Sequence, residues 1–157
     1  QTTEVIAGKG IRAGNFKVLP FNAFHDVPCV GYYIHHPDMG YLLFLTDSFM
    51  TKNVFKVVNH MMIECNYSDA ALQRAIDSGV THIAMRRRLM TSHMELDAAV
   101  KFIGSHDLSN VYNIILLHLS RYNSDKEEYQ LAMESGVGKS VIFAETGMKV
   151  KLSNSPY

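Results

Sequence analysis

The chain has 157 residues and a mass of 17.7 kDa, enough for one domain with a real core. Hydrophobic residues make up 47% and charged residues 19%, a balance that excludes a disordered chain. The formal net charge is zero, which excludes a uniformly basic surface but leaves room for a local patch such as Arg86-Arg87-Arg88. The bland reading of those arginines is a solvated turn or helix face.

The elements are expected to begin with strands. Residues 14–24, 30–36 and 40–46 are rich in Phe, Tyr, Val, Ile and Leu, with turns at Pro28 and at residues 37–40. Their short links predict antiparallel neighbours. Residues 55–65 close on Met-Met-Ile-Glu-Cys-Asn and predict a buried strand. Ser68-Asp69 caps a helix over residues 70–77, stopped by Ser78-Gly79. A second helix is expected over residues 94–103, with Leu96, Val100 and Ile103 at helical spacing and Ser92 with Glu95 as a capping box. Residues 111–119 form a continuous apolar strand. Ser124-Asp125 caps a third helix to about residue 134, ended by Ser135-Gly136, and two last strands are expected over residues 140–145 and 148–152. The sum is an α+β unit, one mixed sheet with helices on one face, whose other face calls for a partner because residues 41–46 and 113–119 are apolar on both sides.

No apolar run approaches the roughly 20 residues needed to cross a bilayer, and the amino end lacks the basic-then-apolar pattern of a signal peptide. Cys29 and Cys65 are too few and too far apart for a disulfide scaffold, and in apolar strand contexts they act as small hydrophobes. A reducing cytoplasmic home is the expectation.

Three of the apolar strands end on metal-capable residues. Residues 16–24 run into His25-Asp26, residues 41–46 into Asp47, and residues 113–117 into His118. A buried strand holds the residue at its end rigidly at the rim of the sheet, as a metal ligand requires. Two imidazoles and a carboxylate suit a divalent transition metal, and a carboxylate can bridge two ions. A satisfied buried His, an Asp in a turn and a second core His are the dull alternatives.

The series Phe24-His25-Asp26, Val30-Gly31-Tyr32-Tyr33-Ile34, Leu45-Thr46-Asp47-Ser48, Ile63-Glu64-Cys65-Asn66-Tyr67, Ser92-His93-Met94-Glu95 and Leu117-His118-Leu119-Ser120 resembles the metallo-β-lactamase superfamily. The branch it is most similar to holds the tRNA-processing endoribonucleases and small exonuclease-like proteins of bacteria and phages. That resemblance implies an αββα sandwich of two similar halves. This chain, over residues 1–157, resembles the carboxyl-terminal half, because the His-x-His-x-Asp-His signature of the first half is absent.

The resemblance implies that His25, Asp47 and His118 are metal ligands, with Asp47 bridging two Zn²⁺ (or Mn²⁺) ions. It implies that His93 is a non-ligand imidazole that contacts phosphate or moves a proton. Asp26, Glu64 and Asn66 are candidates for orienting ligands, against a purely structural hydrogen bond. Ser120 and Asn123 are candidates for phosphate binding through backbone N–H groups, against a helix cap. His60, His82 and His106 match nothing and are expected at the surface. The implied activity is metal-dependent hydrolysis of a phosphodiester, in nucleic acid or a cyclic nucleotide, by a metal-activated water. The missing half or a second copy would complete the site and cover the sheet. A thioester or lactone hydrolase on the same scaffold, and a non-catalytic assembly module, are the alternatives. The isolated chain is expected to be inactive.

Overall fold

The computed structural model describes residues 4–155. One seven-stranded sheet runs in sequence order from β1 (Ile11–Ala13) through β2 (Phe16–Ala23), β3 (Cys29–His36), β4 (Gly40–Leu45), β5 (His60–Glu64) and β6 (Asn113–Leu117) to β7 (Ile142–Phe143). The first four strands pair antiparallel, and β4 to β7 pair parallel. Two reversals therefore leave β2, β4, β5, β6 and β7 running in one direction. Five strands end at the same edge.

Three helices fill the crossover from β5 to β6: α1 (Asp69–Asp77), α2 (Met85–Ser92) and α3 (Leu96–Gly104). A fourth, α4 (Lys126–Val137), links β6 to β7. The α1 boundary follows the expected cap, with the Ser68 hydroxyl accepting from the Ala71 amide. The Ser92–Glu95 capping box does not form. Ser92 ends α2 instead, and the Glu95 carboxylate is itself the cap of α3, accepting from the amides of Asp97 and Ala98. The third expected helix runs three residues past its expected end and stops where Gly138 turns left-handed at φ 70°. Residues 148–152 are not a strand.

Cross-strand pairs place Leu43, Met61 and Ile114 on one face, in a row continued by Leu45, Ile63 and Leu116. These pack against Leu96, Ala99 and Ile103 of α3 and Tyr129 and Met133 of α4, all almost solvent-free. Burying each such large side chain stabilises by roughly 1.5–3 kcal/mol before entropy. Gly31 belongs to this face because a Cβ there would run into the ring of Phe21. The opposite face carries Leu42, Phe44, Met62 and Ile115 in register. It is not bare. Val150 and Leu152 lie by Met62 and Ile115, and the segment is tied down by Asn154, whose amide donates to the Asp38 carbonyl at 2.9 Å.

His60 and His106 are not surface residues. Both are buried, and desolvation lowers the pKa of each. Asn113 donates to His60 Nδ1 at 3.0 Å, so Nε2 carries the proton and lies 3.1 Å from the carbonyls of both Met39 and Ser153. His82 is exposed, as expected. Both cysteines are free, Cys65 in the core and Cys29 half-buried.

Candidate metal centre

The shared edge of β2, β4, β5 and β6 carries His25, Asp47, Glu64 and His118, each at or within two residues of a strand end. Ligands in open sheets gather outside the carboxyl ends of parallel strands because the backbone there is free to present side chains into a crevice. His93 arrives from the other direction, at the carboxyl end of α2, with its amide donating to the Leu89 carbonyl at 2.9 Å.

Glu64 is the hub of this edge. It is fully buried, and its Oε2 accepts from the Ser48 amide at 2.7 Å. Its Oε1 lies 2.6 Å from His93 Nδ1 and 3.2 Å from His118 Nδ1. An ionised carboxylate only accepts, so both imidazoles carry a proton on Nδ1 and turn Nε2 away from Glu64. The Glu64 hydrogen bond, more than any other interaction, raises the His118 pKa; burial opposes it, and the charge of Asp47 adds to it.

Two described residues other than glycine have positive φ: Asp47 at 49° and His118 at 55°. Such conformations cost about 1–3 kcal/mol each and persist where surrounding contacts impose them. Here the contacts are explicit. Cys29 Sγ donates to the Asp47 carbonyl at 3.2 Å, and Asn66 Nδ2 donates to the His118 carbonyl at 2.7 Å. The turn between them and β2 is laced by Ser48, whose Oγ accepts from the Phe24 amide at 3.1 Å. The strained turns bring His118 Nδ1 to 3.4 Å from Asp47 Oδ1.

His25 closes the constellation. Its ring meets that of His93 edge-on at 5.5 Å between centroids, and His93 meets His118 likewise at 5.0 Å. The Asp26 carboxylate lies against His25 Nδ1, yet neither ring nitrogen of His25 makes a hydrogen bond of good geometry, and both are buried. A buried, unpaired imidazole nitrogen is costly unless something else uses its lone pair. Ligand atoms of His25, Asp47 and His93 lie within 4.8 Å of one another, and so do those of Glu64, His93 and His118. The first trio keeps free acceptors, whereas Glu64 is already engaged three times. This donor set of imidazole nitrogens and one half-exposed carboxylate oxygen fits a divalent cation.

Geometry separates the remaining candidates. Ser120 and Asn123 line an open groove with His93, His118, His82 and Leu89. Their amides are not available to a phosphate: Ser120 N–H donates to the Asn66 carbonyl at 2.8 Å, and Asn123 N–H to Ser120 Oγ at 3.3 Å. The Asn123 Oδ1 accepts from the Thr81 hydroxyl at 2.8 Å, and neither residue caps α4, whose cap is Asp125. What remains for a ligand is the Ser120 hydroxyl and the Asn123 Nδ2. The sequence does not mark the roles of Ser48 and Cys29, whereas Asn66 is legible beside Glu64 as a polar residue at a strand end. The Asp-Ser turn is the available signal for Ser48, and nothing local marks Cys29.

No protein-family model matches the sequence, and no curated protein matches it. Solved structures do. The metallo-β-lactamase fold protein YhfI from Bacillus subtilis is 14% identical with a TM-score of 0.66, covering 92% of this chain and 53% of its own. Zn²⁺-bound PqqB from Methylobacterium extorquens is 14% identical with a TM-score of 0.64, covering 94% of this chain and 55% of its own. The short form of human tRNase Z is 18% identical with a TM-score of 0.53, covering 90% of this chain and 45% of its own. The chain therefore has the metallo-β-lactamase fold and spans about half the length of the structures it matches.

Proposed function

We propose that this chain is the carboxyl-terminal half of a metal-dependent phosphodiester hydrolase and supplies part of its active site. The observation that carries the reading is the pair of left-handed turns, which hold Asp47 and His118 together beside the unpaired Nε2 of His25. In this reading His25, Asp47 and His118 hold the metal, and His93, whose ligand atom lies within 4.8 Å of those of His25 and Asp47, stands beside the ion as the imidazole that moves a proton. A divalent ion held there would polarise phosphoryl oxygens and acidify water to a pKa of about 7. Zinc suits the nitrogen-rich set, and zinc is bound in PqqB.

The chain's own groups divide the remaining work. Asp26 orients the His25 ring. Glu64 fixes the proton of His93 on Nδ1, so that Nε2 is the atom able to carry a further proton to a leaving oxygen. The Ser120 hydroxyl, in the groove beside His118, donates to a non-bridging phosphate oxygen. The substrate class rests on the tRNase Z neighbour and on an imidazole placed for proton transfer. Contacts of this kind read the backbone and not base edges, so binding to nucleic acid should weaken as salt rises.

The ligands missing here would come from an amino-terminal half with a His-x-His-x-Asp-His signature, docked on the Phe44 and Met62 face, or from a second copy. Zinc titration by calorimetry, alone and with a matching amino-terminal half, tests the assignment. Weak binding by the chain alone, tight binding with the half and loss in His25→Ala are expected. Tight stoichiometric binding by the chain alone that survives His25→Ala would rule out the site. Hydrolysis of a dinucleoside monophosphate, whose alkoxide leaving group needs a proton, then separates the roles. His93→Ala should keep zinc affinity and lose about 10²-fold or more in rate, the usual worth of a positioned acid. Loss of both would make His93 a ligand instead.

A further inference from the structure

We propose a second ligand site on this molecule, for a nucleotide, in a cleft at the end of the sheet opposite the metal centre. The cleft encloses about 570 Å³, within the range of small-molecule sites, and its walls include Arg12, Lys17, Leu19, Tyr33, His35 and Tyr41. From Tyr41 to Asp47 is six residues of extended chain, about 20 Å, so the two sites do not overlap.

The strand register builds the cleft. Arg12 of β1 faces Lys17 of β2, Lys17 faces His35 of β3, and His35 faces Tyr41 of β4. Directly opposed residues share a face, so these four side chains form one row across four strands. Two cations stand opposite each other in that row, an arrangement that destabilises a strand pair. Among the described residues no carboxylate lies within ion-pair distance of either. His35 Nδ1 is buried beside them without a hydrogen-bond partner. An anion placed over the row would relieve the repulsion and satisfy that nitrogen.

The rest of the row is aromatic. The His35 and Tyr41 rings are 4.5 Å apart, Tyr41 stacks on Tyr33 at 5.1 Å and 15°, and Tyr33 stacks on Phe55 at 4.3 Å and 16°. Tyr33 is pinned because its hydroxyl donates to the Val57 carbonyl at 2.5 Å. A rigid π-ladder that ends against two unpaired cations matches a planar base joined to a phosphate. The base extends the stack, as sequence-tolerant nucleobase binding does, and the Arg12 fork with Lys17 takes the phosphate. Edge strands often carry lysine to block aggregation, but that need explains neither the ladder nor the unpaired imidazole.

Titrating the chain with AMP, adenosine and inorganic phosphate by NMR tests the proposal. AMP should bind, with shifts in the amides of β1 to β4, and adenosine and phosphate should each bind at least about tenfold more weakly. Arg12→Ala with Lys17→Ala should weaken AMP at least about tenfold. His118→Ala should leave AMP binding within about twofold, since it lies at the far edge. If the double variant unfolds, Lys17→Gln alone, an exposed change, decides by a several-fold loss. A free nucleotide and the 5′-phosphate end of a strand offer the same group. Binding of a trinucleotide only when it bears that phosphate supports the site with a strand end as its source. No AMP binding at millimolar concentration, or binding lost in His118→Ala but kept in Lys17→Gln, would overturn the proposal.

Discussion

At the residue scale, Asp47 and His118 show chemistry overriding backbone preference. A left-handed turn asks for glycine, and a carboxylate and an imidazole stand there instead. Asp47→Gly should therefore be more stable than Asp47→Ala by about 1 kcal/mol in chemical denaturation, because only alanine meets the Cβ penalty. Equal stabilities would mean the turn is unstrained. The role of Glu64 is subtler. Its identity was legible as a polar residue at a strand end, but its full burial and its grip on two imidazoles depend on β5 lying centrally between β4 and β6. No local pattern reports that. The same is true of Cys29 and Asn66, whose donors support Asp47 and His118 from 18 and 52 residues away in the chain.

At the element scale, continuous apolar runs and capping residues were readable. Strands β2 to β6 and helices α1, α3 and α4 follow from them within a few residues. The helix α2 did not. Its Met-Arg-Arg-Arg opening lacks a side-chain cap, and its apolar contribution to the interior is the single buried Leu89, packed with Tyr67 and Leu72. The last segment departs from expectation in the opposite sense. Residues 148–152 have strand composition, yet they cross a sheet face and meet no strand edge.

That segment is held through His60, with a consequence for pH. Unfolded, His60 takes up a proton below its ordinary pKa near 6.5; folded, burial resists the proton. The unfolded state then binds more protons, so this stabilising contribution is present above that pH and is lost as pH falls below it. The slope is at most about 1.4 kcal/mol per pH unit for this one group. His60→Gln, which keeps a neutral donor, should flatten the fall in stability between pH 7.5 and 5 measured by urea unfolding. An unchanged profile would place the acid sensitivity elsewhere, with His106 the next buried imidazole to test.

At the scale of the whole molecule, the sheet has two unlike faces. One is sealed by α3 and α4, and the other is crossed by a single extended segment. Half-buried Phe44 and Met62 on that second face suit a partner layer. Phe44→Lys should leave the far-ultraviolet circular dichroism of the chain unchanged while abolishing association with an amino-terminal half in sedimentation velocity. Association that survives the change would move the docking surface away from this face.

Which residues could do chemistry is legible in one dimension, because a His or Asp that ends a buried apolar run is visible there. Strands β2 to β6 and most helices were legible too, since periodicity and caps are local properties, but β1 was not. Only the tertiary structure decided that β2, β4, β5 and β6 point the same way, and so that His25, Asp47, Glu64 and His118 share one edge with His93 among them. Strand direction is set by long-range pairing and crossover geometry. Those are energies between segments far apart in the chain, and no stretch of residues carries them alone.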